Sequence, residues 1–242
     1  MAKTAAILII GSEVLSGKVT DENSPYLVRE LRSLGVEVRR LVTIPDELPL
    51  IAREVRDMAR DHDVVFTTGG VGPTHDDVTI PAIAHAFGRQ CVRHPVLENA
   101  LRGHYGAGIT AAQLRMAEVP EGSRLVGGDA WSLPIVAYEN VFIFPGIPET
   151  VRRKFGRIRE QFRDVPYVLR RIYLHCDEGE IAAELSNAVE RFPSLQLGSY
   201  PILHNPDHSV VLTLESKEAV EVEGAVNYLL DHLPRSRIVR VE

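Results

Sequence analysis

The stretch "FTTGGVGPTHDDVTIP", residues 66–81, combines residue types that could bind phosphate. An apolar run typical of a buried strand is followed by three glycines in four positions, Gly69, Gly70 and Gly72. Glycines at the end of a strand allow close backbone approach, so that several N–H groups can converge on an anion. Pro73 and Thr74 continue the turn, which matches neither a dinucleotide fingerprint nor a P-loop. The stretch predicts a phosphate-binding turn, and a tight turn without a ligand is the alternative.

Carboxylates follow this turn, where alone they would repel a phosphate. Asp76 and Asp77 come after the glycines, Glu13 comes after the first predicted strand, and Asp46 comes after the second. Capping of a helix explains one such aspartate, but it does not explain an acid after each of three strands. Mg²⁺ is bound by one or two carboxylates together with phosphate oxygens of a ligand. We therefore predict these four acids as metal ligands and Asp46 and Asp77 as catalytic, with capping and solvated charge as the alternative.

Two further turns could complete the pocket. Gly11 and Ser12 follow the first predicted strand, and Gly146 lies in "FPGIPE", residues 144–149. The second turn could serve the structure alone or form the far wall of the same pocket. Lys18 is a candidate charge stabiliser, and His75 is the histidine placed beside the acids. Because no G-x-S-x-G elbow occurs, nucleophilic acyl chemistry is not favoured.

Alternating strands and helices must position these residues. Near-continuous apolar runs predict buried parallel strands, and helical spacing of apolar residues predicts the helices between them. The predicted strands are residues 4–11, 36–44 and 63–68. The first predicted helix begins at Ser24-Pro25, and the next two cover residues 48–61 and 79–88. This rhythm is typical of a doubly wound α/β sheet.

The rest of the chain changes character twice. Residues 95–116 are predicted to be mostly helical, and "LPIVAYENVFIFPG" predicts two strands joined by a turn and followed by a helix. Beyond Pro166 the pattern becomes β-α-β-β-α-β, which suggests a small split-βαβ module. We therefore predict two domains, residues 1–165 and 166–242.

Bulk properties narrow the class of protein. The chain has 242 residues, 45% of them apolar, and a formal net charge of −6, which argues against a general nucleic-acid binder. The two cysteines fit no metal or disulfide spacing. No run reaches the ~18 apolar residues of a membrane helix, and Gly11 ends the first apolar run too early for a secretion signal. We expect a cytoplasmic protein with neither a membrane nor a nucleic acid as partner.

The phrases "GSEVLSGKVTDENSPYL", "TTGGVGPTHDDVT" and "FPGIPE" resemble the molybdopterin-binding (MoaB/MogA-like) domain family. Within it, they resemble the amino-terminal domain of CinA and, more closely, the amino-terminal molybdopterin-binding-like domain of eukaryotic FAD synthases. The resemblance covers about residues 4–163 and extends more weakly through the tail, which is similar to the small domain that follows in CinA.

The resemblance implies a three-layer α/β/α sandwich with a mostly parallel sheet, and a homo-oligomer, with a dimer favoured. Molybdenum-cofactor members use acids at the positions of Asp46 and Asp77 with Mg²⁺ to adenylylate molybdopterin. CinA-like members are associated with metal-dependent cleavage of nucleotide diphosphates such as ADP-ribose, and the FAD synthase domain with FAD hydrolysis. The implied ligand is a nucleotide or a pterin, and the implied cofactor is a divalent metal, Mg²⁺ or Co²⁺, with K⁺ as a further candidate.

One stretch departs from the pattern. CinA-type chains carry an Asn-Pro-x-Gly-x-Ala-Pro-Gly-like loop where this chain has "GGDAWSLPIV". Trp131 in that loop could stack on a ligand ring or fill a gap in the core. Three hypotheses result: a metal-dependent nucleotide-diphosphate pyrophosphatase, a molybdopterin-binding protein of molybdenum-cofactor biosynthesis, and a non-catalytic nucleotide-binding module.

Overall fold

The computed structural model describes residues 3–128 and 133–242. Trp131, for which the sequence predicts a stacking or packing role, lies outside the described residues. The chain divides into two compact units, Met1–Asp164 and Val165–Glu242. Every predicted site residue belongs to the first unit.

The described part of the first unit contains strands and α-helices that alternate along its first half. Its strands are β1 (Thr4–Ile10), β2 (Glu37–Ile44), β3 (Val64–Thr68), β4 (Cys91–Arg93), β5 (Glu118–Pro120), β6 (Arg124–Val126), β7 (Ile135–Tyr138) and β8 (Val141–Phe144). Its α-helices are α1 (Ser12–Leu15), α2 (Asn23–Ser33), α3 (Leu48–Asp61), α4 (Thr79–Ala86), α5 (Pro95–Tyr105), α6 (Ala111–Arg115) and α7 (Pro148–Ile158).

The central sheet has the strand order β2-β1-β3-β8-β7-β6. The first four strands in that order are parallel, and β7 runs antiparallel to both of its neighbours. Alternate residues of β1 are buried on opposite faces of the sheet, against α2 and α7 on one side and α3 and α4 on the other. The first face receives Ala5, Ile7 and Ile9, and the second receives Ala6, Leu8 and Ile10. The predicted three-layer α/β/α sandwich with a mostly parallel sheet is confirmed.

The helices follow the predicted periodicity, with one correction. The helix predicted over residues 48–61 is α3, and its buried residues include Ile51, Ala52 and Val55. The start predicted at Ser24 is wrong, because α2 begins at Asn23 and the Ser24 hydroxyl instead donates to the Asp21 carboxylate. A short antiparallel ribbon of β4 and β5 was not predicted, since each strand has only three residues.

The second unit has the predicted β-α-β-β-α-β order. Its elements are β9 (Val168–Leu174), α8 (Ala182–Arg191), β10 (Gln196–Pro201), β11 (Val210–Ser216), α9 (Ala219–His232) and β12 (Ile238–Val241). The sheet order is β10-β11-β9-β12, and all three pairs are antiparallel. Ile172, Leu212 and Leu214 of the sheet pack with Val222 and Leu229 of α9 to form a separate core. Within the described ranges of the chain, no helix is both long enough and apolar enough to cross a membrane.

Candidate functional site

The carboxyl ends of the parallel strands bring the predicted site residues to one edge of the central sheet. Ile10 pairs with Ile44, Ile9 pairs with Thr68, and Thr68 pairs with Phe144, so β1, β2, β3 and β8 end side by side. The segments that follow these strands carry Glu13, Asp46, the glycine turn and Gly146 respectively. The parallel register therefore explains why acids that are distant in sequence lie at one edge.

The glycine turn has a backbone that other residues would strain. Gly69 has φ of +100° and Gly70 has φ of +63°, and only glycine adopts this region without cost. A Cβ on Gly69 would lie 2.0 Å from the carbonyl oxygen of Ile10, at the end of the neighbouring strand β1. A Cβ on Gly70 would lie 2.4 Å from Oγ1 of Thr79, which donates a hydrogen bond to the Gly69 carbonyl oxygen. These two glycines are required by the fold of the turn itself.

The same turn exposes a row of backbone donors. The N–H group of Gly69 donates to the Phe144 carbonyl oxygen. The next three N–H groups, of Gly70, Val71 and Gly72, have no acceptor among residues 3–128 and 133–242. Successive unpaired N–H groups in a turn with positive φ form a concavity that suits an anion. The phosphate-binding role of the turn stays a prediction.

Asn23 connects the turns that follow β3 and β8. Its buried side-chain amide donates to Oγ1 of Thr68 over 3.2 Å and to the carbonyl oxygen of Gly146 over 2.7 Å. The backbones of Gly146 and Gly69 are also close, since a Cβ on Gly146 would lie 3.6 Å from Cα of Gly69. The "FPGIPE" turn is thus held directly against the glycine turn.

Asp46 connects the first-strand loop to the glycine turn. Its Oδ2 atom accepts hydrogen bonds from the backbone N–H and the hydroxyl of Ser12, over 2.8 Å and 2.9 Å. Its Oδ1 atom lies 3.5 Å from the point that a Cβ on Gly70 would occupy. Within the described residues Oδ1 accepts no hydrogen bond. One carboxylate oxygen is therefore held in place while the other is available beside the turn.

Asp77 is held by the turn that contains it. Its Oδ2 atom accepts the backbone N–H and the hydroxyl of Thr74, over 2.8 Å and 2.5 Å. The same oxygen lies 2.7 Å from the point that a Cβ on Gly72 would occupy, so Asp77 and the glycine turn are in direct contact. Asp76 is exposed, and its carboxylate lies 3.9 Å from the ring of His75.

A divalent cation has suitable donors here, although not from four acids at once. Residues 3–128 and 133–242 contain no group of three or more histidine, cysteine, aspartate or glutamate side chains that could hold a metal ion. Mg²⁺ usually takes one or two carboxylates together with ligand oxygens. Asp46 and Asp77, each with one oxygen fixed, fit that donor set. The metal roles of Glu13 and Asp76 stay predictions, as do those of Asp46 and Asp77.

A groove of about 1820 Å³ runs along this edge of the first unit. It is lined by the whole turn 69–73, together with Glu13, Asp77 and Gly146. Gly11, Ser12, Asp46, Thr74 and Asp76 do not line it, nor do Lys18 and His75, which are exposed. The lining also includes residues of α5, α6 and β6, and the basic side chains His94, which precedes α5, Arg115 and Arg124. The groove is large enough for a nucleotide-sized ligand.

Among the charged groove residues that sequence reasoning missed, Lys154 is buried. Lys154 is 8% exposed, and its Nζ atom donates to the carbonyl oxygens of Leu133 and Pro134. Burial lowers the pKa of Lys154 from 10.5 to about 8, with further lowering by Arg153 and Arg157. The spacing of the sequence could have indicated this burial, because position 154 shares a helix face with the buried residues at 151, 155 and 158.

Comparison with known proteins identifies the first unit. Residues 6–163, more than half of the chain, match the family model described as a probable molybdopterin binding domain. The chain belongs to this molybdopterin-binding domain family. Residues 166–242, which follow the molybdopterin-binding domain, match the model described as the middle domain of FAD synthase.

Two relatives are similar to almost the whole chain of this member of the molybdopterin-binding domain family. A protein from Archaeoglobus fulgidus is 35% identical over 220 residues, which span 91% of this chain and 93% of the relative. A probable FAD synthase from Caenorhabditis elegans is 32% identical over an alignment of 259 positions, which covers 96% of this chain and 50% of the relative. The chain therefore covers half the length of that FAD synthase.

A solved structure is also similar to this protein. The structure of CinA from Thermoplasma acidophilum, whose function is described as unknown, has a TM-score of 0.62 and 28% sequence identity. The match covers 66% of this chain and 98% of that protein. The predicted resemblance to the MoaB/MogA-like family, CinA and FAD synthase is confirmed.

Proposed function

We propose that this protein is a divalent-metal-dependent pyrophosphatase that cleaves a nucleotide diphosphate such as ADP-ribose or FAD. The observation that carries the proposal is the contact between the glycine turn and two fixed carboxylates at one sheet edge. Gly70 lies beside Asp46 and Gly72 lies beside Asp77. A phosphate on the turn would therefore have acids next to it, which is unfavourable unless a cation lies between them.

Each part of the edge has a role in this proposal. The unpaired N–H groups of residues 70–72 hold one phosphate of the ligand. The carboxylate of Asp77, together with phosphate oxygens of the ligand, would hold a Mg²⁺ or Co²⁺ ion, which would neutralise charge on those oxygens. Asn23 keeps the Gly146 turn against Gly69 and so maintains the width of the site.

The reaction is hydrolysis of a phosphoanhydride. The oxygen of a water attacks one phosphorus, the bond from that phosphorus to the bridging oxygen breaks, and two phosphate monoesters result. Asp46 orients the water through Oδ1, the oxygen that Ser12 does not hold, and accepts its proton. Ser12 donates two hydrogen bonds to Asp46 and thereby fixes the direction of that carboxylate.

Incubation of the full chain with ADP-ribose or FAD tests the proposal. With Mg²⁺ or Co²⁺ we expect AMP and the matching second monophosphate, and chelation by EDTA should stop their formation. Parallel reactions with and without K⁺ test whether that ion contributes. Asp46→Asn should reduce the rate by at least about 100-fold, as for loss of an oriented general base. Asp61→Asn, in an exposed pair with Arg60 on α3, is the matched control.

Two outcomes would overturn this proposal. One is the absence of AMP with every metal and both substrates, and the other is an Asp46→Asn protein as active as the Asp61→Asn control.

The second candidate function is molybdopterin binding in molybdenum-cofactor biosynthesis, which the family description of residues 6–163 favours. The same anion-binding turn would then hold the single phosphate of a pterin. Tight binding of molybdopterin without cleavage of either nucleotide would favour this candidate. Binding of nucleotide without cleavage would instead indicate a non-catalytic module.

A further inference from the structure

Lys154 is a buried cation that has no carboxylate partner in the part of the chain that the structure describes. Its side chain is 8% exposed, and its Nζ atom donates to two neutral acceptors, the carbonyl oxygens of Leu133 at 2.7 Å and Pro134 at 3.1 Å. No aspartate or glutamate among residues 3–128 and 133–242 forms an ion pair with it. Buried ammonium groups are normally paired with an anion, because removing the charge from water is costly.

The helix that carries Lys154 makes this burial more costly. Val151, Phe155 and Ile158 share its face and pack into the core, so Lys154 cannot turn to solvent without leaving that face. Arg153 and Arg157 lie on the same helix and disfavour its charge. No described contact offsets these costs with a negative charge. This points to an anionic partner that belongs to a bound ligand and not to the protein.

Lys154 also has an unused donor at the right place. An ammonium group carries three N–H bonds, and two of those of Lys154 donate to backbone carbonyls. Its third N–H has no acceptor among the described residues. Lys154 lines the same groove as the glycine turn and Asp77, and its helix begins at Pro148, two residues after Gly146.

We propose that Lys154 binds a phosphate group of the ligand in this groove, so that the ligand supplies its missing counter-ion. The inference rests on the proposed function and deepens it. With the N–H groups of residues 70–72 as one anion site and Lys154 as another, the groove favours ligands with a diphosphate over those with a single phosphate. The cationic side chains Arg115 and Arg153 line the same groove and add to this preference.

A merely structural role for Lys154 makes a different prediction. If it only holds Leu133 and Pro134 in place, its loss should weaken charged and uncharged ligands alike. If it binds phosphate, its loss should weaken only ligands that carry phosphate. Two ligands separate the two roles: riboflavin, which is the part of FAD without phosphate and is uncharged, and inorganic pyrophosphate, which is an anion.

The experiment measures dissociation constants of the full chain for ADP-ribose, pyrophosphate and riboflavin by calorimetry. Lys154→Met should raise Kd for ADP-ribose and pyrophosphate about 10- to 100-fold, the loss expected for one hydrogen bond to a charged group. It should leave Kd for riboflavin, where binding is detectable, unchanged. Lys154→Arg should retain part of the affinity for the anions. Arg152→Met, an exposed cation of the same helix that pairs with Glu22, is the control and should bind pyrophosphate as the wild type does.

A second measurement does not depend on whether Lys154→Met folds. The chain has four lysines, Lys3, Lys18, Lys154 and Lys217, so NMR of variants that lack Lys3, Lys18 or Lys217 assigns the remaining ammonium signal to Lys154. Pyrophosphate should shift the Lys154 signal more than the other three.

The outcomes are distinguishable. Wild-type protein that binds neither ADP-ribose nor pyrophosphate would contradict the proposed function itself. Wild-type protein that binds them, with unchanged affinity in Lys154→Met or an unmoved Lys154 signal, would overturn only this inference. Equal weakening of riboflavin and pyrophosphate would also overturn it, in favour of the structural role.

Discussion

Alanine substitutions in the glycine turn should destabilise the first unit to very different degrees. At Gly69 a new Cβ would lie 2.0 Å from the Ile10 carbonyl oxygen, and both atoms belong to backbone that cannot move independently of β1. Together with φ of +100°, this should cost more than about 4 kcal/mol of unfolding free energy, which is exceptional for one substitution. We expect Gly69→Ala to be largely unfolded or insoluble.

Gly70→Ala should be intermediate. Its φ of +63° costs about 1–2 kcal/mol for a residue with a Cβ. The Cβ would also displace the Thr79 hydroxyl, 2.4 Å away, from its hydrogen bond to Gly69, which is worth about 0.5–1.5 kcal/mol. The sum, about 1.5–3.5 kcal/mol, should lower the melting temperature of a unit of this size by about 3–14 °C.

Gly88 is a matched control for Gly70. It has φ of +64°, but a Cβ there would meet nothing within 4 Å. Gly88→Ala should therefore show the backbone cost alone, and the difference between the two variants measures the clash with Thr79. Gly146→Ala, with its nearest contact at an ordinary 3.6 Å, should change stability by less than about 0.5 kcal/mol.

Urea unfolding of the four variants, followed by far-ultraviolet circular dichroism, gives these free energies. A loss relative to the wild type is assigned to the first unit, because that unit carries the substitutions. Equal losses for Gly70→Ala and Gly88→Ala would refute the argument from Thr79. A Gly69→Ala protein as stable as the wild type would refute the geometry of the turn.

Three more predictions follow from the acids, Lys154 and the two units. Asp77→Asn should abolish the divalent-dependent binding of ADP-ribose. Its amide oxygen can still accept the hydrogen bonds from Thr74, so the melting temperature should stay within about 2 °C of the wild-type value. Normal binding in calorimetry would contradict the metal role of Asp77, and a large drop in melting temperature would indicate a structural role. Burial lowers the pKa of Lys154 from 10.5 to about 8, so the unfolded chain holds this proton more tightly than the folded chain does. The unfolding free energy should therefore rise by about 3 kcal/mol as the pH is raised from about 8 to about 10.5. Urea titrations should show that rise in the wild type and not in Lys154→Met, and an identical pH dependence of the two proteins would contradict the prediction. A fragment ending at Asp164 should retain pyrophosphate binding but change in oligomeric state or solubility, measured by calorimetry and light scattering on one sample; a soluble fragment of unchanged size that does not bind would place the site elsewhere.

Much of the fold could be predicted from local patterns. The apolar run at 4–10 indicates a strand buried on both faces, and β1 has that burial along its whole length. The spacing over 48–61 indicates one buried helix face, and α3 has these bounds. Both signals are strong because burial repeats with the period of the element. The three-residue strands β4 and β5 are too short to show any period.

The position of the candidate site also followed from sequence. Acids after successive strands of a parallel sheet must lie at one edge, whatever the details of packing. The three glycines indicated a turn with unusual backbone, and Gly69 and Gly70 have positive φ.

Tertiary structure alone decided which of these residues touch. Ser12 and Asp46 are 34 positions apart, and Asn23 and Gly146 are 123 apart, yet each pair is hydrogen-bonded. No periodicity encodes such contacts, because they depend on the sheet order β2-β1-β3-β8. Lys154 combines both cases: its helix face can be worked out from its spacing, but the absence of a carboxylate partner among the described residues cannot. That property depends on every chain segment packed around its ammonium group, and only the folded structure assembles them.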